Sequence, residues 1–541
     1  MGNALLKHYD WDRSKAASGG VGMLWQIFPG RDRKSKKQVS IFLIQKKSIP
    51  RVGRDELWEK VIKKDASILT KLRHPHVLDV KRAPCEDRSA LVFVTEPVVC
   101  SLANLLGDTR GIEGVVPGAA AEGKDGKGNG STSLQLPAHL ANVQITHLDV
   151  KNGLRQLVEC LEFLHTSGRL IHGHVSPCNI YLTPSGHWKL AGFGFSQKAE
   201  TQTTLVDCGI DFGPFDTQKK KGATKDKLLM VPEFIFSAPE MVLKKRYDSR
   251  VDVFSLGQVA YHLCKFIAKK QHSPKPVASI DEYRAWIGSL HRPLILDSIP
   301  KTLRKYLARM LAVDPTHRAS LKGFLSSEYY NDVLVRTLRY LDGLLQTDLK
   351  TRVQFLRQLP KVINLFDARN AEMKVLPKLM LQWKVGEKPL MLYTLPAILK
   401  CAERMPKRSF AEKIVPVLRR VSQIKTPQFV YVVLSNFTFL VEKTDDGQQQ
   451  GLLVPLLLAG LESKENRLQD LAMRKIVETA NANKFAYSAL KTDILPKIQR
   501  LAKGPGPAEV RAGALNAIGN LFELFDKVTV KELIIPAVND A

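Results

Sequence analysis

Cysteine is scarce, with seven residues scattered through 541. An odd, dispersed set forms neither a disulfide framework nor a CxxC metal site, and it fits a reducing compartment, cytosol or nucleus. Long apolar runs are missing too. The longest, Leu452 to Leu461, is interrupted by Pro455 and falls well short of the ~18 residues that span a bilayer. The N-terminus has no basic flank followed by an apolar core, so no secretory signal is expected. Leu6 stands where a myristoylation start at Gly2 wants Ser or Thr. Acidic residues are in deficit: 53 Asp+Glu against 81 Lys+Arg leave a net charge of +28. Such a surface attracts anionic membranes, nucleic acid or acidic partners. No nucleic-acid-reading module is apparent, so no specific nucleic acid is expected, and the Lys219–Lys221 run reads as a solvated loop.

What is present is the composition of a globular protein, 44% hydrophobic and 25% charged. The length implies two to four domains at ~100–200 residues each. Over residues 1–332, short β-branched and aromatic runs such as Val39–Ile44 and Leu91–Val94 alternate with helical stretches, the texture of a mixed α and β domain. A Gly-, Ala-, Lys- and Ser-rich stretch over 107–137 is expected to be a disordered insertion, and Gln197–Lys227 a mobile loop.

Residues 333–541 read as helices punctuated by prolines. An apolar pair followed by proline recurs at Pro377, Pro416, Pro455, Pro496 and Pro536, with spacings of 39, 39, 41 and 40 residues. A period near ~40 is that of HEAT or armadillo repeats, each unit burying its face by stacking on its neighbours. The prolines are expected in helix first turns, where a missing N–H costs least. Val510, Ala514, Ile518, Leu521, Phe522 and Phe525 form one expected buried stripe. Only five residues follow Pro536, so Ala541 is expected to lie inside a longer solenoid.

The candidate chemistry lies in the first region. A glycine cluster (Gly19, Gly20, Gly22) precedes a strand through Phe42. Then follow His172-Gly173-His174-Val175-Ser176-Pro177-Cys178-Asn179, Gly192-Phe193-Gly194, Ala238-Pro239-Glu240, Asp252-Val253-Phe254-Ser255-Leu256-Gly257 and a late Arg318. In this order they resemble the protein-kinase signature set, from glycine loop through HRD, DFG and APE motifs. The implied fold is an α+β bilobal protein-kinase-like domain followed by an all-α HEAT/armadillo-type solenoid.

The departures from that set decide the expected function. Phosphoryl transfer needs a strand lysine for the phosphates, a DFG acid for Mg²⁺ and an HRD aspartate to orient the substrate hydroxyl. Those positions hold Phe42, Gly192 and His174 here; the loop lysine is Ser176 and the first loop glycine is Ala17. The helix glutamate position holds Asp65, and only Asn179 remains of the metal site. Lys46 lies four residues along the strand from Phe42, roughly 13 Å away, which leaves Lys15 as the better stand-in. His172, Phe193, Glu240, Asp252 and Arg318, which the kinase family uses to hold its fold, are all kept. No catalytic residue is therefore expected. The vestigial nucleotide site comprises Gly19, Gly20, Gly22, Phe42, Glu96, Val98, Asn179 and Gly192, with the Glu96-Pro97-Val98 hinge able to hold adenine. No cofactor is required, and any ATP binding is weak and metal-independent. The His172-x-His174 and His74-x-His76 pairs lack Cys or carboxylate partners in sequence and read as structural, so no metal is expected.

A kinase-like domain that keeps its scaffold and loses its chemistry, followed directly by helical repeats, resembles the SCY1-like pseudokinase family. Ser18-Gly19-Gly20 before Gly22, the strand ending in Phe42, and Thr95-Glu96-Pro97-Val98 leading into Ser101-Leu102-Ala103-Asn104 bring it nearest to the coated-vesicle-associated branch. The resemblance implies a scaffold or adaptor in clathrin-dependent traffic between trans-Golgi network, endosomes and plasma membrane, with clathrin and adaptor machinery as partners. It also implies a cytoplasmic protein, peripheral on Golgi, endosomal and coated-vesicle membranes. The chain contains neither an Asn-Pro-Phe motif nor a leucine-rich clathrin box. The rival expectation is a protein kinase with residual ATP binding and weak Ser/Thr phosphotransfer.

Overall fold

A computed structural model describes residues 4–14, 17–49, 57–112, 140, 143–210, 212, 231–269, 277, 279–290, 299–386, 388–482 and 487–539. Lys15, Lys219–Lys221 and residues 113–137 lie outside this set. The chain forms two compact units, Met1–Arg336 and Thr337–Ala541, the division falling four residues beyond the boundary expected from sequence.

The first unit begins with an antiparallel sheet of β1 (Tyr9–Trp11), β2 (Ala17–Gly19), β3 (Trp25–Asp32), β4 (Gln38–Gln45), β5 (Val80–Glu86) and β6 (Ala90–Thr95), in the order β1-β3-β4-β6-β5 with β2 also on β3. β4 and β6 are buried on both faces, which is why they read as near-continuous apolar runs rather than alternating ones. Their register sets Phe42 directly opposite Phe93, and β3 sets Ile27 opposite Phe42. Helix α1 (Lys64–Lys71) packs by β5.

The rest of this unit is mainly helical. α2 (His147–Thr166) starts at a capping box between Thr146 and Asp149, and α3 (Arg250–Lys269) packs against it. A small sheet of β7 (Cys100–Ser101), β8 (Ile180–Leu182) and β9 (Trp188–Leu190) carries the segment that follows the His172–Asn179 loop. Two loops expected to lack structure are partly ordered. Ile112 at the start of the insertion is buried, and Gln26 Nε2 donates to the Gly111 carbonyl. Gln197–Lys198 and Val206–Asp207 pair as short strands with Leu170–Ile171 and Arg246–Tyr247. Composition missed these because backbone pairing asks little of the side chains.

Among the described residues of the second unit, every regular element is a helix. Each of the five spaced prolines is the second residue of a helix: Pro377 in α4 (Leu376–Val385), Pro416 in α5 (Val415–Ile424), Pro455 in α6 (Val454–Leu461), Pro496 in α7 (Leu495–Lys503) and, beyond α8 (Ala508–Leu521), Pro536 in α9 (Ile535–Asn539). Before four of them the chain widens into a π turn: Ala371–Val375, Gln449–Leu453, Ala489–Ile494 and Val530–Ile534. A proline has no N–H to give and its ring crowds the carbonyl four residues back, so a wider turn relieves both problems. The stripe on α8 holds at Val510, Ala514, Ile518 and Leu521, but Phe522 is 46% exposed. The helix tightens into a 3₁₀ turn at Phe522–Leu524, which rotates that ring off the buried face.

Candidate functional site

The space between glycine loop, hinge and His172–Asn179 loop is filled by the chain's own side chains. Phe42 is 1% exposed. It stacks on Phe93 (ring centroids 4.9 Å), meets Tyr181 of β8 edge-on (5.3 Å) and packs by Trp25 of β3 (6.3 Å). Trp25 also meets Phe93 edge-on at 4.8 Å. Such pairs add about 0.5–1.5 kcal/mol each beyond the area they bury. On the same face of β4, two residues before Phe42, the Ser40 hydroxyl accepts from the Val98 N–H (2.9 Å) and donates to the Val98 carbonyl (3.3 Å). The hinge donor and acceptor expected to hold adenine are thus both taken by one side chain.

The glycine loop is closed onto the floor beneath it. Gly20 N–H donates to the Cys178 carbonyl at 2.8 Å. Ser18 N–H donates to Asn104 Oδ1 (3.0 Å), whose Nδ2 donates back to Ser18 Oγ (2.9 Å). Met23 packs with Ala103 and Cys178. Gly19 permits this approach: a Cβ there would sit 2.5 Å from Tyr181 Oη.

The metal position is blocked in the same manner. Gly192 holds φ +81°, and a Cβ on it would lie 2.1 Å from Asn179 Cγ. Asn179 Nδ2 donates to the His174 carbonyl, so the amide occupies the room an aspartate at 192 would need. Asp65 serves a different end from the lysine pairing its place implies. Its Oδ1 accepts the Phe193 N–H at 2.8 Å. Burial raises its pKa to about 6 against that hydrogen bond. Lys46 is held away by Glu86 (2.7 Å) and lies over the Trp58 ring. Glu96 turns its carboxylate to Lys189 (2.8 Å) and the Asp79 N–H.

At the position of the hydroxyl-orienting aspartate, His174 Nε2 meets Glu233 Oε2 at 2.5 Å. Burial works to raise the Glu233 pKa, but the His174 charge and the hydrogen bonds from His174 and Cys178 outweigh it and hold the value at about 2. Ser176 Oγ lies 3.0 Å from Cys178 Sγ. Among the described residues neither His-x-His pair brings both rings to one ligand cluster, but His174 lies beside Cys178 and Glu233, the Cys and carboxylate partners that sequence spacing did not show. His172 Nε2 bonds the Ala191 carbonyl while its Nδ1 accepts from the His174 N–H, and burial lowers its pKa to about 4. His74 stacks on Phe163.

The fold-holding residues are in place. Asp252 accepts the His172 and Gly173 N–H groups (2.8 Å each) and the His165 ring (2.7 Å). Arg318 grips Glu240 through two bonds (2.5 and 2.7 Å) and caps the Ala312 and Arg250 carbonyls. His172 packs on Phe193. Sequence reasoning missed Ser40, Trp25, Phe93, Tyr181 and Glu233. Phe93 faces Phe42 only through strand register. Glu233 stands 59 residues from His174, and no spacing rule links the two.

This is a protein-kinase-like domain whose phosphate, metal and hydroxyl-orienting positions hold groups that pack or pair with one another. The protein kinase domain model matches residues 127–330, beginning beyond the strand that bears Phe42. The chain is 29% identical to SCY1-like protein 2 of Mus musculus over 99% of its own length and 54% of that protein. It is 24% identical to the protein kinase-like protein SCY1 of Saccharomyces cerevisiae over 95% of the chain and 64% of the relative. To the probable inactive serine/threonine-protein kinase scy1 of Dictyostelium discoideum it is 22% identical over 97% and 54%. Its likeness to SCY1-like proteins runs along nearly the whole chain. It spans about half the length of SCY1-like protein 2.

Proposed function

We propose that this chain is a non-catalytic, kinase-like scaffold of the SCY1-like type. It works in clathrin-dependent vesicle traffic between trans-Golgi network, endosomes and plasma membrane, bound peripherally to acidic cytoplasmic membrane surfaces. The observation that carries the non-catalytic reading is the packing of Phe42, Phe93, Tyr181 and Trp25 together with the Ser40 hydroxyl on Val98. A nucleotide would have to displace buried rings and break the Gly20–Cys178 bond. Phosphoryl transfer, which is mostly positioning and charge stabilisation, has neither a lysine at Phe42 nor a carboxylate at Gly192 to supply them. No cofactor is required, and ATP binds weakly at best and without need of metal. The name of the Dictyostelium relative, a probable inactive kinase, supports the same reading. The trafficking role rests on the family resemblance, with the helical second unit as the protein-binding surface.

Two measurements test this. Purified chain incubated with labelled ATP and either Mg²⁺ or Mn²⁺ should transfer no more phosphate than a chain lacking the glycine loop. Transfer that disappears on Asn179→Ala would establish the rival reading, a weak Ser/Thr kinase. Proximity labelling in cells should enrich clathrin and adaptor components; a neighbourhood free of coat proteins would overturn the trafficking assignment.

A further inference from the structure

Among the described residues, one trio of metal-capable side chains converges: His174 Nε2, Cys178 Sγ and a Glu233 carboxylate oxygen all lie within 4.8 Å of one another. We propose that these three residues form a binding site for a thiolate-accepting divalent transition ion of the zinc class. The proposal is independent of the scaffold reading.

The donors come from two well-fixed segments. His174 and Cys178 sit on the loop whose backbone Asp252 holds through the His172 and Gly173 N–H groups, and Pro177–Asn179 tightens it with a 3₁₀ turn. Glu233 opens the 3₁₀ turn Phe234–Phe236. His174 and Cys178 are buried, while a third of the Glu233 side chain reaches solvent, so an ion has a route in.

Imidazole, thiolate and carboxylate together suit zinc and its neighbours, and three protein ligands leave a fourth position for water or a partner's donor. The same set is wrong for Mg²⁺, which demands oxygen ligands and keeps its waters. Cys178 now donates its S–H to Glu233 Oε1 at 3.2 Å. On metal binding the S–H bond breaks, the sulfur keeps the electron pair as the metal ligand, and the proton leaves to solvent. Because the thiol must give up its proton to bind, affinity rises with pH. Bond lengths of about 2.0–2.3 Å require Glu233 to draw back from His174 by roughly 1 Å, a rotation its exposed end allows. Arg110 feels the charge of Glu233 and Cys178, and Asp108 already holds it through both carboxylate oxygens. With Cys178 and Glu233 both anionic, a dication leaves the ligand set neutral.

The test uses full-length chain purified without a histidine tag and stripped with chelator. Cobalt(II) should bind at one equivalent with a thiolate-to-cobalt charge-transfer band, and one equivalent of zinc should displace it. Cys178→Ser should abolish the band. Glu233→Gln, partly exposed and expected to fold, should weaken zinc binding about tenfold or more. Cys85→Ser, at a partly exposed thiol elsewhere, should leave both intact. A stripped wild-type chain that takes up no cobalt overturns the proposal, as does a band that survives Cys178→Ser or zinc affinity unchanged in Glu233→Gln.

Discussion

At Gly192 a single side chain decides whether the metal site could be rebuilt. A Cβ there collides with Asn179, and the backbone is left-handed. Gly192→Asp should therefore lower stability by at least about 2 kcal/mol and confer no magnesium dependence on melting. A Mg²⁺-dependent rise in Tm for that variant would show that the site had merely lost one ligand. Phe42→Lys should likewise destabilise the fold without restoring transfer, because it buries an unpaired charge among aromatic rings.

Asp65 gives a pH test at the same scale. Its pKa is raised from 3.8 to about 6, so its contribution is most favourable below the unfolded value and is lost as pH rises through 6. Two units correspond to about 3 kcal/mol. His172 acts with the opposite sign. Its pKa is lowered to about 4, so its stability is full above about 6.5 and lost as pH falls toward 4. Denaturant titrations of Asp65→Asn and wild type, followed by tryptophan fluorescence, should diverge in the variant's favour by up to about 3 kcal/mol between pH 4 and 7. Parallel curves would contradict the assigned burial of the carboxylate.

Among the elements, the helix starts of the second unit combine sequence signals of unequal visibility. The prolines were legible because their ~40-residue period is a property of spacing alone. Their aspartate caps were not. Asp367, Asp445 and Asp526 each stand ten residues ahead of a spaced proline and accept from the N–H three residues on, but a lone Asp in a polar stretch carries no distinguishing pattern. Replacing any one with Ala should cost about 1 kcal/mol, measurable in thermal melts of the full chain; no change would mean that the π turns hold without capping.

The first unit divides the same way. Its motif order and anchoring residues could be read because they are local strings. The occupied cleft could not, since it depends on strand register joining Phe42 to Phe93 and on Tyr181 arriving from a separate sheet. The Glu240–Arg318 pair, expected from its motifs, is nearly fully buried. Removing one partner by Arg318→Met should destabilise by about 3–5 kcal/mol.

For the molecule as a whole, charge and cleft are the two testable properties. Among the described residues no helix is long and apolar enough to cross a membrane, and the net charge is +28. Basic residues near an anionic surface contribute about 1 kcal/mol each, screened within a Debye length. Binding to phosphatidylserine-containing liposomes should therefore fall steeply with salt and vanish on neutral vesicles. Indifference to both would assign the charge another purpose.

The most direct test is calorimetric titration of the full-length chain with ATP, with and without Mg²⁺. A cleft filled by Phe42, Phe93, Tyr181 and Trp25, with Val98 already bonded to Ser40, predicts no saturable heat at micromolar to sub-millimolar nucleotide and no effect of magnesium. A one-to-one isotherm in the micromolar range that strengthens with Mg²⁺ would contradict it.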